Sequence, residues 1–137
     1  APLVAQVEAR TPQGAAAATI LVNDRAVPTL SPFVAAEIDY LIQRIADRHA
    51  NRGFIEDLAA ARFDVPSIST TDLAEIQQLH RRYRDLSPGI ADLSLVVLAA
   101  RYRTTRLLTF DQRHFRLIRP LQGGTFTLLP FDEDVDA

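Results

Sequence analysis

The sequence predicts an α/β domain with a mostly parallel sheet, and three observations carry that expectation. Helical periodicities alternate with short apolar runs. The connections between those runs are too long for hairpins. An apolar helix from Gly89 to Arg103 is followed at once by a buried strand, Arg106 to Thr109, with Phe110-Asp111 directly after it. An apolar helix has little reason to carry a carboxylate near its start, and a buried strand little reason to end on one. Asp92 and Asp111 stand at those two places. In parallel sheets ligands bind outside the carboxyl ends of the strands, where Asp111 is expected.

Residues 2–9 read as a short helix, and Thr11-Pro12 opens another running to about Val22, favoured by Ala15 to Ala18. Arg25 to Leu30 is a short strand candidate. Ser31-Pro32 starts the next helix, serine as cap and proline in the first turn. Phe33, Glu37, Tyr40, Leu41 and Arg44 share one face of it, which puts Glu37 among bulky apolar neighbours. Gly53 is expected to separate it from a short helix ending near Arg62. Phe63 to Pro66 reads as a brief strand. Thr71 or Asp72 caps a helix through about Tyr83, with Leu73, Ile76, Leu79 and His80 or Tyr83 inward. Ser87-Pro88-Gly89 is a loop. Gln112 to Leu117 forms one or two helical turns, and Gly123-Gly124 breaks the chain before a last strand, Thr125 to Leu129. Residues 1–130 form one domain, and 131–137 an acidic tail expected to be disordered.

Composition narrows the function classes. The chain has 137 residues and a formal net charge of −2, so no global basic field draws in nucleic acid. All 15 basic residues besides histidine are arginine, which grips phosphate or carboxylate through two parallel hydrogen bonds. There is no cysteine, which excludes disulfides, thiolate metal sites and cysteine catalysis. No apolar run reaches the roughly 20 residues of a membrane-spanning helix. Nothing reads as a secretory leader, and a cytoplasmic protein with no membrane partner is expected.

Glu37, Asp92 and Asp111 each follow a strand or sit early in the helix after one. In a parallel sheet all three project to one edge. Carboxylates at ~4 Å repel by about 4 kcal/mol per pair at an effective dielectric of 20. Such a cluster persists if protonated, paired with arginine, or bound to a cation. All-oxygen ligands point to Mg²⁺, with Mn²⁺ as the alternative. A cation so held suits phosphodiester hydrolysis.

Three blocks carry a resemblance that covers nearly the whole chain: Ser31 to Leu41 (SPFVAAEIDYL), Gly89 to Ala99 (GIADLSLVVLA) and Leu107 to Phe115 (LLTFDQRHF). In this order and spacing they resemble the PIN-domain family, a three-layer α/β/α fold, and within it the VapC-type toxin ribonucleases of bacterial type II toxin–antitoxin pairs. Gly123 to Pro130 resembles the ending of a subgroup. The resemblance implies that Glu37, Asp92 and Asp111 bind Mg²⁺, with Thr109 as a supporting hydroxyl. It implies metal-dependent cleavage of single-stranded or loop RNA, a homodimer, and a cognate VapB-type antitoxin lying across the acidic pocket.

One departure stands out. Chains of that family open with a central strand ending in aspartate, and Ala1 to Ala5 resemble the residues just after that aspartate. The first central strand and its acid are therefore expected ahead of Ala1. Should they be absent, the alternative is a catalytically incomplete PIN-like module that binds RNA or a partner. Among other residues, Arg113, His114 and Arg103 are candidate RNA contacts. Asp39 is assigned to the surface, and His49 and His80 to structure or surface.

Overall fold

Apolar residues on every side of one helix set the architecture. The computed structural model describes residues 4–5, 27–45, 48–109, 112–129 and 131–132. Strand β1 (Val4–Ala5) comes first, then helices α1 (Pro32–Ile45), α2 (Arg48–Ala59) and α3 (Thr70–Arg82) and a 3-10 turn at Arg84–Leu86. Helix α4 (Ile90–Arg101), strand β2 (Arg106–Leu108), helix α5 (Gln112–Leu117) and strand β3 (Thr127–Leu129) complete the order. In α4 every residue from Leu93 to Ala99 is buried, and Leu95, Val96, Leu98 and Ala99 are fully so. A helix apolar all round belongs inside, and α4 packs against α1, α3, β1 and β2. Each such leucine or valine contributes roughly 1.5–3 kcal/mol of burial.

The described strands form one parallel sheet in the order β1-β2-β3. Val4 and Ala5 pair with Leu107 and Leu108, and Arg106, Leu107 and Leu108 pair with Thr127, Leu128 and Leu129. The Thr109 N–H extends the ladder to the Leu129 carbonyl at 3.0 Å. The helix expected over residues 2–9 is corrected at Val4–Ala5. These two residues pair with β2 on one of its sides. Buried backbone groups of a central strand need partners, and that demand outweighs local helix propensity. The helix expected from Thr11 to Val22 lies outside the described residues.

The other differences have local causes. Thr29 and Asp64 form an isolated parallel bridge in place of the two short strands that the sequence predicts. Gly53 sits inside α2, which ends instead at Ala59. There the Arg62 and Ala61 N–H groups donate to the Asp57 and Leu58 carbonyls, with Ala61 at φ 58°. This is a left-handed helix stop made without glycine. Ser69, not Thr71 or Asp72, caps α3: its hydroxyl accepts from the Asp72 N–H while the Asp72 carboxylate accepts from the Ser69 N–H. Leu73 is consequently turned outward and 40% exposed, while Ile76 and Leu79 are buried as expected.

The boundary after residue 130 also moves. Phe131 packs against the core and Asp132 pairs with Arg116, so the folded part extends through both. Residues 133–137 lie outside the described ones.

Candidate active site

The site is built where α1, α4, β2 and α5 meet. Gly89 caps α4 in extended conformation, which places Asp92 in the first helical turn, where the dipole favours negative charge. α4 returns through a tight turn into β2, so its start lies toward the carboxyl end of that strand. The chain passes Thr109, which is fully buried, and enters α5 at Gln112. From α5, His114 reaches back to Asp92, with Nδ1 to Oδ2 at 3.0 Å. That contact fixes Asp92 at the carboxyl edge of the sheet. Both side chains are largely withdrawn from solvent, 20% exposed for His114 and 15% for Asp92.

A second contact joins α1 to the same place. The hydroxyls of Ser31, at the start of α1, and Ser94, two residues after Asp92, lie 2.6 Å apart and fully buried. Ser94 donates to the Ala91 carbonyl at 2.6 Å, so the proton between the two serines comes from Ser31. Ser31 in turn accepts from the Phe33 N–H at 3.2 Å, which caps α1.

The structure divides the expected site residues. Asp92 and Thr109 stand at the carboxyl edge, joined there by His114. Glu37 lies on α1, six residues beyond Ser31, and is exposed rather than set among apolar neighbours. This corrects the expected face: Val34 and Ile38 point inward, while Tyr40 is 58% exposed with Arg44 over its ring. Phe33 is half-buried against the core, so the outward aromatic is Tyr40, and it makes the outer face of the helix look apolar. Asp111 lies outside the described residues.

Arg103 stands apart from these residues. It follows the last turn of α4, at φ 54°, where its N–H and that of Thr104 donate to the Ala100 and Ala99 carbonyls. It therefore stands at the amino end of β2, about 16 Å along the helix from Asp92 at 1.5 Å per residue. Arg113 is exposed and adjacent to His114. Asp39 accepts from Gln43 and Asn51, tying α1 to α2. His80 is exposed, and the His49 side chain lies outside the described ones. Sequence reasoning misses the bond between His114 and Asp92. The only available signal is that each occupies one of two motif blocks, 22 residues apart.

Among the described residues no group of three or more histidine, aspartate or glutamate side chains is gathered closely enough to hold a metal ion. None of the described helices is long and apolar enough to cross a membrane.

The PIN-domain family profile matches residues 3–119. Ribonuclease VapC26 of Mycobacterium tuberculosis is 34% identical over 128 residues, covering 93% of this chain and 95% of that protein. Among solved structures, the crystal structure of Mycobacterium tuberculosis VapC20, described as a sarcin–ricin-loop-cleaving toxin, superposes with a TM-score of 0.72 at 13% identity. That match covers 82% of this chain and 92% of VapC20. A parallel sheet around a buried helix, an acid at that helix's first turn and these matches agree: the chain belongs to the PIN-domain family, among its VapC-type members.

Proposed function

We propose that this protein is a metal-dependent endoribonuclease, the toxin of a toxin–antitoxin pair. The observation that carries the reading is the Asp92 carboxylate, set in the first turn of a buried helix and held by His114 at the carboxyl edge of the sheet. The hydrogen bond from His114 engages Oδ2, and a hard cation would be taken by the other oxygen of the carboxylate. The 34% identity to a ribonuclease supports the reaction class.

The donor chemistry fits a hard divalent cation. Asp92, Glu37 and Asp111 would supply oxygen ligands for Mg²⁺ or Mn²⁺. The His114 Nδ1 is already engaged by Asp92. When bound, such an ion lowers the pKa of a coordinated water and offsets charge on the phosphate. Asp92 would contribute a fixed oxygen, Glu37 one from the exposed face of α1, and Asp111, two positions after Thr109 in the sequence, a third. The Ser31–Ser94 bond keeps the starts of α1 and α4 in register, and the buried Thr109 would serve as a supporting hydroxyl. Arg113, exposed beside the site, would add backbone affinity for RNA. A cognate VapB-type antitoxin and homodimer formation complete the proposal.

The test is cleavage of single-stranded and loop RNA by the purified protein. Mg²⁺ or Mn²⁺ should be required, EDTA should abolish cleavage, and Asp92→Asn should reduce it by at least ~100-fold, beyond the 10–100-fold that outer partners of a metal site contribute. Metal-dependent RNA binding without cleavage would instead favour an incomplete, binding-only module. Cleavage at undiminished rate in EDTA or in D92N would overturn the mechanism.

A further inference from the structure

We propose that His114 is a positioning residue: its Nδ1–H holds one oxygen of Asp92 and thereby orients the carboxylate toward a divalent cation. The inference rests on the reading above of Asp92 as a metal ligand and deepens it. A carboxylate only accepts hydrogen bonds, so the proton in the 3.0 Å contact belongs to Nδ1. The contact is shielded from water on both sides, which strengthens it relative to a surface pair.

What makes His114 a fixed post is the anchoring of α5. Directly after it, Phe115 is buried and meets the Phe126 ring edge-on, 6.0 Å between centroids at 87°. Arg116 is next, with two 2.7 Å hydrogen bonds to Asp132 and one of 2.9 Å to Gln112. Ile118 is buried one turn on from His114, its N–H donating to the His114 carbonyl at 2.8 Å. The helix therefore carries His114 at a set height over the sheet edge. Asp92 gains its orientation from a second element that its own helix does not supply.

The experiment compares His114→Asn with His114→Gln in the full chain, because both are polar and neutral but differ in reach. The asparagine amide nitrogen falls near the Nδ1 position, whereas that of glutamine falls near Nε2. Mg²⁺ binding is measured by isothermal titration calorimetry without RNA, alongside thermal unfolding in EDTA. H114Q should weaken Mg²⁺ binding by about 10–100-fold, while H114N keeps an affinity close to wild type. In cleavage assays the half-saturating Mg²⁺ concentration for H114Q should rise by the same factor, with the rate at saturating Mg²⁺ near wild type.

Wild-type Mg²⁺ affinity in H114Q, with binding lost in D92N, would overturn the positioning role and leave the metal reading intact. Equal weakening in H114N and H114Q would also overturn it, since the Nδ1 hydrogen bond would not be what matters. A wild-type chain that binds no Mg²⁺, or a D92N variant that binds it normally, would overturn both.

Discussion

Ser31 and Ser94, 63 positions apart in the chain, share a fully buried 2.6 Å hydrogen bond, and only one arrangement of protons satisfies it. Ser94 donates to Ala91, Ser31 donates to Ser94, and the Phe33 N–H donates to Ser31. The relay joins the start of the Glu37 helix to the start of the Asp92 helix, so removing either hydroxyl strands a buried partner.

Ser94→Ala should therefore cost about 1–3 kcal/mol, and Ser31→Ala a similar amount because a helix cap is lost as well. The double variant should be less destabilised than the two single changes added together, by about 0.5 kcal/mol or more. Urea unfolding of the four proteins measures this. Strict additivity would mean that the two hydroxyls do not interact.

Arg103 ends α4 in the left-handed region at φ 54°, a conformation that glycine adopts without strain. Arg103→Gly should stabilise the fold by about 0.5–1 kcal/mol and leave RNA cleavage unchanged, since the residue stands at the far end of α4 from Asp92. Thermal unfolding together with a cleavage assay reads both. Loss of cleavage with gain of stability would return Arg103 to the RNA-contacting set.

Two carboxylates contribute to the loss of stability in acid. Backbone and side-chain hydrogen bonds from Ser69, together with Arg101, hold Asp72 below its ordinary pKa; the Arg116 guanidinium and the Leu128 N–H do the same for Asp132. A depressed folded-state pKa contributes stability that is present above the ordinary carboxylate pKa and is lost as pH falls through the folded value. The loss should therefore fall below about pH 4. Both ion pairs are partly exposed, so each contributes about 1 kcal/mol or less. The double variant Asp72→Asn/Asp132→Asn should be less stable than wild type at pH 7 and lose less between pH 4 and pH 2. Parallel stability curves over that range would contradict the assignment.

The signals for α4, β2 and α5 are local, which makes these elements legible in the sequence. Uninterrupted apolar residues mark a buried helix, and a proline–glycine loop marks its start. Helix ends are harder to read: α2 and α4 stop at Ala61 and Arg103 in the left-handed conformation, where no glycine announces the turn. Gly53 suggests a boundary that the fold places elsewhere. The face of α1 is ambiguous because Tyr40, at helical spacing from the core-packed Phe33, imitates an inward residue, and burial of Val34 and Ile38 decides it. Of the site, Asp92 and its edge follow from position in a parallel α/β unit. The bond from His114 to Asp92 does not, because a contact between the start of one helix and the side of another leaves no periodicity in the sequence.

The central claim is that Glu37, Asp92 and Asp111 share one divalent cation at the carboxyl edge of the sheet. Anomalous scattering from a crystal of the protein soaked in Mn²⁺ tests it most directly. The account predicts a peak within about 2–2.5 Å of an Asp92 oxygen, the coordination range for hard cations on carboxylates, with Glu37 and Asp111 around it directly or through water. A Mn²⁺ peak elsewhere on the molecule, with Asp92 bound only to His114, would contradict it.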